Sequence, residues 1–332
     1  MFLSKSKADL QLTTSPSFFC IVGGRYPELA RQEIVALLES YGASNIQCPR
    51  PDLVIAEGDC EIEKVSKRAA FTQYIVKKLE TEEDLSVLRG KTFACYGTND
   101  IKLRDKVVEE IKKKTNSSVS VTHPDYQIII KTITSQNDYR QSPRNLVGIR
   151  VPQVVIDWKE RTSHLTNQFH PTMLNARISR AMINLAKVKE GDMVLDPFCG
   201  AGGILIEGKE LKMKTLGFDV ARKMCVAAKK NLDENIVECN SMQMPLKLDR
   251  IDAIVTDVPY GHSTRIIKGI TRRNMLKDFL VSIKKGSIRS AVIMCQSEDE
   301  VIIRKTGFNI TNICRLYWHK SLTRSIITIT PW

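Results

Sequence analysis

The chain has 332 residues, of which 42% are hydrophobic and 26% are charged, a composition typical of a soluble globular protein. This length allows two domains, each with its own core. No run of about eighteen apolar residues is present, so we expect no membrane span. The first residues lack the apolar core of a secretory signal, and we therefore expect a cytoplasmic protein whose nine cysteines are reduced.

The net charge of +13 is concentrated in the second half of the chain. Residues 1–160 contain 23 Lys and Arg against 21 Asp and Glu, and residues 161–332 contain 27 against 16, so the two halves carry +2 and +11. A polyanionic partner would explain this difference, because Lys and Arg that neutralise phosphates release counterions. Charge alone leaves a solvated basic surface open as the alternative.

Short apolar runs alternate with amphipathic stretches over residues 17–155, which predicts an α+β domain. The predicted strands are 18–22, 52–56, 74–79 and 126–133, and the predicted helices are 27–39, 61–70 and 104–114. Lys112–Lys114, Arg140, Arg144 and Arg150 are candidate phosphate contacts, although such residues are commonly part of a solvated surface.

Residues 156–171 are predicted to form a linker, and residues 172–188 a helix with one apolar face. Strands and helices then alternate as in a doubly wound sheet. The predicted strands are 193–195, 215–218, 236–238, 251–256 and 289–295, followed by a hairpin of 308–317 and 325–330. The predicted helices are 203–211, 220–234, 270–285 and 298–305.

A glycine-rich turn lies between the first of these strands and its helix. Asp196 closes the strand, and Gly200 and Gly202 follow. Residues without a Cβ atom let the backbone approach a ligand closely, while the free N–H groups of the helix start face it. Asp219 closes the next strand, and an acid about twenty residues beyond such a turn can bind both hydroxyls of a ribose.

A third strand, 251–256, ends in Asp257-Val258-Pro259-Tyr260-Gly261. A nicotinamide-binding site does not explain a carboxylate, a proline and an aromatic ring together at a strand end. With Asp196-Pro197-Phe198-Cys199-Gly200-Ala201-Gly202-Gly203, this segment resembles the class I S-adenosylmethionine-dependent methyltransferases that modify exocyclic amines, whose motifs are D-P-F-x-G-x-G-G and D-P-P-Y. Residues 177–186, 257–264 and 319–324 most resemble archaeal tRNA guanosine-10 N2-methyltransferases.

The resemblance implies a Rossmann-like, seven-stranded α/β methyltransferase sheet over residues 172–332. It also implies that residues 1–155 contain a short N-terminal extension and a THUMP-type RNA-binding domain. The implied cofactor is S-adenosylmethionine, and the implied partner is tRNA, with no metal and no membrane. A small activating protein subunit is a further possible partner, and the chain is otherwise expected to be a monomer.

The resemblance assigns roles to individual residues. The catalytic residues would be Asp257, Pro259 and Tyr260. The cofactor-binding residues would be Phe169, Thr172, Asp196, Phe198, Gly200, Gly202, Asp219, Asn240, Ser241 and Asp257. The substrate-binding residues would be Val258, His262, Ser263, Thr264, Arg265 and Arg324.

Amine methylation needs little from the protein beyond placement, because the donor is already activated. The lone pair of the guanine N2 amine is delocalised into the ring, so the enzyme must favour a more nucleophilic nitrogen. Asp257 can accept one N–H of this amine, and the carbonyl of Val258 or Pro259 can accept the other. Tyr260 can stack on a flipped base.

The sequence departs from the family pattern at two positions. Val258 replaces a proline, which predicts a looser turn with retained chemistry. Asn240-Ser241 replaces a common Asp-Ala, and Asn240 can still accept a hydrogen bond from the adenine amine.

Three other interpretations stay open. The first is adenine N6 methylation of RNA or DNA, because the Asp257 device serves any exocyclic amine. The second is a catalytically lapsed RNA-binding adaptor, which the two departures suggest. The third is carbon methylation through Cys199, which is disfavoured because this residue lies within the cofactor turn.

Overall fold

The computed structural model describes residues 16–133, 144–158, 161, 173–232, 235–244, 247–259, 271–284, 286–319 and 322–330. The chain divides into two compact units. The first contains residues up to Val22, Tyr41–Lys67 and Thr72–Val154, and the second contains Gly23–Ser40, Arg68–Phe71 and the chain from Val155 onward. None of the described helices combines the length and the apolar composition that a membrane span requires.

The first unit is an eight-stranded sheet with the strand order β2-β3-β1-β4-β8-β7-β5-β6. One cluster of its core joins strand residues such as Phe93 and Ile128 to Val107 and Ile111 of helix α4. The strands are β1 (Ser17–Val22), β2 (Ser44–Arg50), β3 (Leu53–Glu57), β4 (Thr72–Lys78), β5 (Thr92–Tyr96), β6 (Ser118–Val119), β7 (Tyr126–Ile133) and β8 (Arg144–Arg150). Its helices are α2 (Ile62–Arg68), α3 (Glu82–Ser86) and α4 (Ile101–Thr115).

Local chemistry sets the limits of helix α4. The Asp100 side chain accepts a hydrogen bond from the Leu103 N–H at 3.0 Å, which caps the first turn. Asn116 ends the helix in the left-handed region with φ 52°. The predicted helix 104–114 was therefore too short by about one turn at its start.

The second unit contains a seven-stranded sheet with the order β11-β10-β9-β12-β13-β15-β14. Strands β9 to β13 run parallel, and β15 pairs antiparallel with both β13 and β14. The strands are β9 (Met193–Asp196), β10 (Lys214–Asp219), β11 (Ile236–Glu238), β12 (Ala253–Asp257), β13 (Ser290–Gln296), β14 (Asn309–His319) and β15 (Leu322–Thr330). This confirms the predicted Rossmann-like sheet with one reversed strand.

The helices of the second unit flank this sheet in sequence order. They are α1 (Pro27–Ser40), α5 (Ala176–Leu185), α6 (Gly203–Glu210), α7 (Arg222–Leu232), α8 (Arg272–Ile283) and α9 (Glu300–Lys305). Single 3₁₀ turns occur at Leu248–Arg250 and Ser297–Asp299. Asn175 caps the start of α5 by accepting a hydrogen bond from the Arg177 N–H at 3.0 Å.

Helix α1 belongs to the second unit, although its position in the chain predicts it for the N-terminal domain. Its buried Glu33 accepts hydrogen bonds from the N–H groups of Ala70 and Phe71, both at 2.8 Å, and from the Asn184 side chain at 2.7 Å. Helix α1 is thereby joined to α5 and to residues 68–71. The predicted limits 1–155, 156–171 and 172–332 stay a prediction.

We predict that Glu33→Ala strongly destabilises the second unit, because it leaves three buried donors without their acceptor. The expected loss in the free energy of unfolding is about 3 kcal/mol. Urea denaturation of the full chain measures it. Glu39→Ala is the matched control, because Glu39 lies on the same helix in an exposed ion pair with Lys187. Equal stability of the two variants would contradict the role given to Glu33.

Candidate active site

Three carboxylates lie where neighbouring parallel strands end. Asp196, Asp219 and Asp257 are the last residues of β9, β10 and β12, and β9 lies between the other two in the sheet. In open α/β sheets the carboxyl ends of the strands form one edge, and ligands bind there. The sheet therefore brings together the three acids that the sequence analysis selected.

The glycine turn after β9 has the backbone geometry that its sequence predicts. Gly200 and Gly202 have φ values of +53° and +92°. A Cβ atom on Gly202 would lie 2.7 Å from the Leu232 Cδ1 atom. Both the left-handed conformation and the close packing therefore require glycine at position 202.

Asp219 fixes this turn through its carboxylate. Its Oδ2 atom accepts a hydrogen bond from the Gly200 N–H at 3.0 Å, and its Oδ1 atom accepts one from the Ala221 N–H at 2.7 Å. Burial raises the pKa of Asp219, and these two N–H groups oppose that shift. A carboxylate held in this way has lone pairs left for the hydroxyls of a ribose.

Asp196 is buried below the turn. Its Oδ1 atom accepts hydrogen bonds from the Thr256 hydroxyl at 2.6 Å and from the Phe198 N–H at 3.1 Å. Burial raises its pKa to about 7, and the negative charges of Asp257 and Asp219 contribute to this rise. A cationic ligand at this edge would relieve the repulsion among the three acids.

Asp257 forms an ion pair with Arg324, which the antiparallel strand β15 brings back to this edge. The guanidinium side chain is only 2% exposed, and the Asp257 side chain is 17% exposed. Burial raises the pKa of Asp257, whereas the charge and hydrogen bond of Arg324 lower it. Arg324 therefore favours the ionised carboxylate. Its predicted contact with substrate stays a prediction.

The residues after Asp257 continue the edge of the sheet. The Val258 N–H, which a proline would lack, donates a hydrogen bond to the Met294 carbonyl at 2.9 Å. The Val258 side chain is buried, and Pro259 is half-buried. The departure from the family motif is thus accommodated by one additional hydrogen bond to β13.

Asn240 and Ser241 lie in the loop after β11. The Asn240 Oδ1 atom accepts a hydrogen bond from the Met242 N–H at 3.1 Å, and the Ser241 hydroxyl donates one to the Pro197 carbonyl. The loop is therefore tied to the turn after β9. The Phe198 ring packs edge-on against Phe279 at a centroid distance of 5.1 Å.

Several predicted site residues lie outside the described part of the chain. They are Phe169, Thr172, Tyr260, His262, Ser263, Thr264 and Arg265. Sequence reasoning missed the Thr256 hydroxyl bound to Asp196, although its place directly before Asp257 was a signal. It also missed Trp318, whose ring centroid lies 5.5 Å from the Arg324 Cζ atom.

The described residues fit a nucleoside ligand that carries a positive charge. The turn at Gly200 and Gly202 allows close approach to the backbone, and Asp219 presents a carboxylate beside it. The three acids exceed the single guanidinium of Arg324 that faces Asp257. A sulfonium nucleoside combines a ribose with this charge.

Two family models match the chain. One is described as an RMKL-like methyltransferase domain and matches residues 164–307, and the other is described as a DNA methylase and matches residues 72–230. Among solved structures, the crystal structure of TrmN from Thermus thermophilus is 13% identical, with a TM-score of 0.48, and the alignment covers 95% of this chain and 100% of that one.

Two curated relatives share one name, tRNA (guanine(10)-N2)-dimethyltransferase. The protein from Methanocaldococcus jannaschii is 34% identical over 179 residues, or 50% of this chain and 49% of the relative, so the chain spans about half the length of this relative. The protein from Pyrococcus abyssi is 26% identical over 340 residues, which cover 92% of this chain and 97% of the relative. The sheet, its strand-end motifs and these matches show that the chain belongs to the class I S-adenosylmethionine-dependent methyltransferases.

Proposed function

We propose that this chain transfers a methyl group from S-adenosylmethionine to the exocyclic N2 amine of a guanosine in tRNA, at position 10. The observation that carries the proposal is the partly exposed Asp257 carboxylate, which lies on the same sheet edge as the glycine turn and Asp219. The names of the matched relatives support guanine N2 and tRNA as the substrate. One and two methyl groups are both compatible with this site.

In this proposal the cofactor lies along the carboxyl edge of the sheet. Asp219 binds the ribose hydroxyls, and the backbone at Gly200 and Gly202 approaches the cofactor closely. When bound, the cofactor supplies a methyl group already activated on a sulfonium. The other residues assigned to it are Phe169 and Thr172 at the methionine end, Asp196, Phe198, and Asn240 with Ser241 at the adenine.

The amine is held by acceptors of this chain. The Asp257 carboxylate accepts one N–H of the guanine N2 group, and the carbonyl of Val258 or Pro259 accepts the other. Two acceptors direct the nitrogen lone pair toward the methyl carbon, and Tyr260 stacks on the base. Placement of this kind supplies about 7–11 kcal/mol of barrier reduction in well-oriented reactions.

Arg324 acts on the reaction through Asp257. Without a nearby cation, the buried carboxyl group would take up a proton and would donate a hydrogen bond instead of accepting one. The guanidinium keeps the acceptor ionised and fixes its direction through the ion pair. We assign Arg324 as a positioning residue and retain His262, Ser263, Thr264 and Arg265 as candidate contacts to the RNA.

The first unit is assigned to RNA binding as a THUMP-type domain. Lys112, Lys113 and Lys114 form the last turn of α4, and Arg144 is exposed. Arg150 is engaged within the unit, because its Nη1 atom donates to the Gln127 Oε1 atom at 2.7 Å. The lysines and Arg144 are therefore better candidates for phosphate contacts than Arg150. A tRNA substrate places the protein in the cytoplasm, with or without a small activating subunit.

Adenine N6 methylation is the second candidate, and the match to a DNA methylase model favours it. Both reactions use the same acceptors for an exocyclic amine. Nucleoside analysis of bulk tRNA after incubation with labelled S-adenosylmethionine separates them, because N2-methylguanosine and N6-methyladenosine differ in chromatography. A lapsed RNA-binding adaptor would give neither product and no cofactor binding in calorimetry.

We predict that Asp257→Ala lowers methyl transfer to tRNA by at least about a hundredfold, because the amine loses its charged acceptor. Cofactor binding, measured by calorimetry, should persist, since Asp219 and the glycine turn are untouched. Asp249→Asn, an exposed acid in the preceding 3₁₀ turn, is the control. Undiminished turnover of Asp257→Ala would refute the assignment.

We predict that Arg324→Met moves the acid limb of the kcat profile to higher pH. Burial already raises the pKa of Asp257 and Arg324 opposes it, so removing the cation lets the pKa rise further. Activity that depends on the ionised carboxylate is then lost as pH falls from a higher starting point. Arg324→Lys should restore part of the shift. An unchanged profile in both variants would show that Arg324 does not act through Asp257.

A further inference from the structure

A second concave site lies within the same unit, apart from the glycine turn. It is a cavity of about 340 Å³ lined by the start of α1, residue 71, the start of α5 and the end of β14. A volume of this size is at the lower end of small-molecule sites. The lining residues that the argument uses are Arg25, Tyr26, Phe71, Arg177 and Trp318.

Aromatic rings and guanidinium groups alternate around this cavity. The Tyr26 and Phe71 rings meet edge to face at 6.2 Å. The Arg177 Cζ atom lies 4.4 Å from the Phe71 centroid, and the Arg25 Cζ atom lies 5.3 Å from the Tyr26 centroid. Among the described residues that line the cavity, none is acidic. Flat rings with unopposed positive charge are the chemistry that binds a base and its phosphate.

The cavity is held in shape by buried polar contacts. The Arg177 Nε atom donates to the Ala70 carbonyl at 2.8 Å, and the Phe71 N–H donates to the Glu33 carboxylate at 2.8 Å. These bonds fix a ring and a guanidinium relative to each other before any ligand arrives. Such preorganisation reduces the entropy cost of binding.

Trp318 links the cavity to the catalytic acid. Its ring lines the cavity and lies 5.5 Å from the Arg324 Cζ atom, and Arg324 pairs with Asp257. Strand β14 runs parallel to β13, because both pair antiparallel with β15, so Trp318 lies at the carboxyl edge of the sheet. The two sites therefore share one edge and are joined by two side chains.

We propose that this cavity binds a nucleotide of the substrate RNA adjacent to the methylated guanosine. The inference rests on the proposed function, because it takes the guanine amine to be held at Asp257. Since Trp318 and Arg324 connect the cavity to that carboxylate, the target base does not itself occupy the cavity, whereas its neighbour in the strand can reach it. Stacking on Trp318 or Tyr26 holds the base, and Arg25 and Arg177 face its phosphate.

The substrate chemistry follows from this placement. Stacking accepts any base, because each has a π-face, so the cavity contributes affinity and register more than sequence discrimination. A neighbour bound in the cavity leaves the target nucleotide to be extruded toward Asp257. The proposal thus requires a substrate whose target guanosine can leave its stack.

The kinetic test uses the full chain, bulk tRNA and three variants. Trp318→Ala and Arg177→Lys should each raise the KM for tRNA about tenfold, on the scale of one lost stacking contact, while calorimetry shows unchanged S-adenosylmethionine binding. Tyr317→Ala is the matched control, because Tyr317 is the preceding residue of β14 and its side chain is 60% exposed. An unchanged KM in both cavity variants would overturn the proposal.

A second measurement does not depend on turnover. Transcribed tRNA that contains 4-thiouridine is irradiated with the wild-type protein, and the crosslinked peptides are mapped by mass spectrometry. Crosslinks to the peptides of Tyr26, Phe71 or Trp318 support the cavity, including when a variant fails to fold. Crosslinks confined to other peptides would overturn it. Absence of methyl transfer by the wild type would instead refute the proposed function, and the crosslink map would still decide whether the cavity binds RNA.

Discussion

The buried ion pair between Asp257 and Arg324 is the interaction on which the site depends. A carboxylate removed from water tends to take up a proton, and the pKa of Asp257 is raised for this reason. The guanidinium opposes that tendency and leaves an ionised oxygen partly open to a ligand. Because both charges lie at the edge of a β-sheet, their positions are set by strand pairing and not by a loop.

The other two acids extend this electrostatic design. Asp196, with a pKa raised to about 7, and Asp219 lie close enough to Asp257 for their charges to interact. Together they favour a cationic ligand over a neutral one at the same edge, and the attraction is stronger in a buried groove than in water. In the proposed reaction a sulfonium donor becomes a neutral thioether, so the same acids hold the product less strongly than the donor.

The second unit also uses residues far from it in sequence. Helix α1 and residues 68–71 pack within it, and Glu33 joins them to α5 through Asn184. These segments supply Tyr26 and Phe71 to the cavity beside Trp318. The N-terminal part of the chain is therefore not only a separate binding domain, because two of its segments complete the surface of the catalytic unit.

Buried parallel strands could be predicted because their apolar runs are continuous, and Asp196, Asp219 and Asp257 could be selected because each closes such a run. Strand β2 was missed because its sequence, Ser-Asn-Ile-Gln-Cys-Pro-Arg, is polar and mostly exposed, and β8 was missed because Gly148 interrupts it. The Asp257–Arg324 pair joins residues 67 positions apart, and no local pattern gives that contact. The roles of Phe169, Thr172, Tyr260 and residues 262–265 stay predictions.

The most direct test is a crystal structure of the protein with S-adenosylhomocysteine bound. The account predicts ribose hydroxyls within hydrogen-bond distance of the Asp219 carboxylate, the adenosine along the turn at Gly200 and Gly202, and the sulfur atom facing Asp257. A ligand bound elsewhere, or a groove that stays empty at saturating ligand, would contradict it.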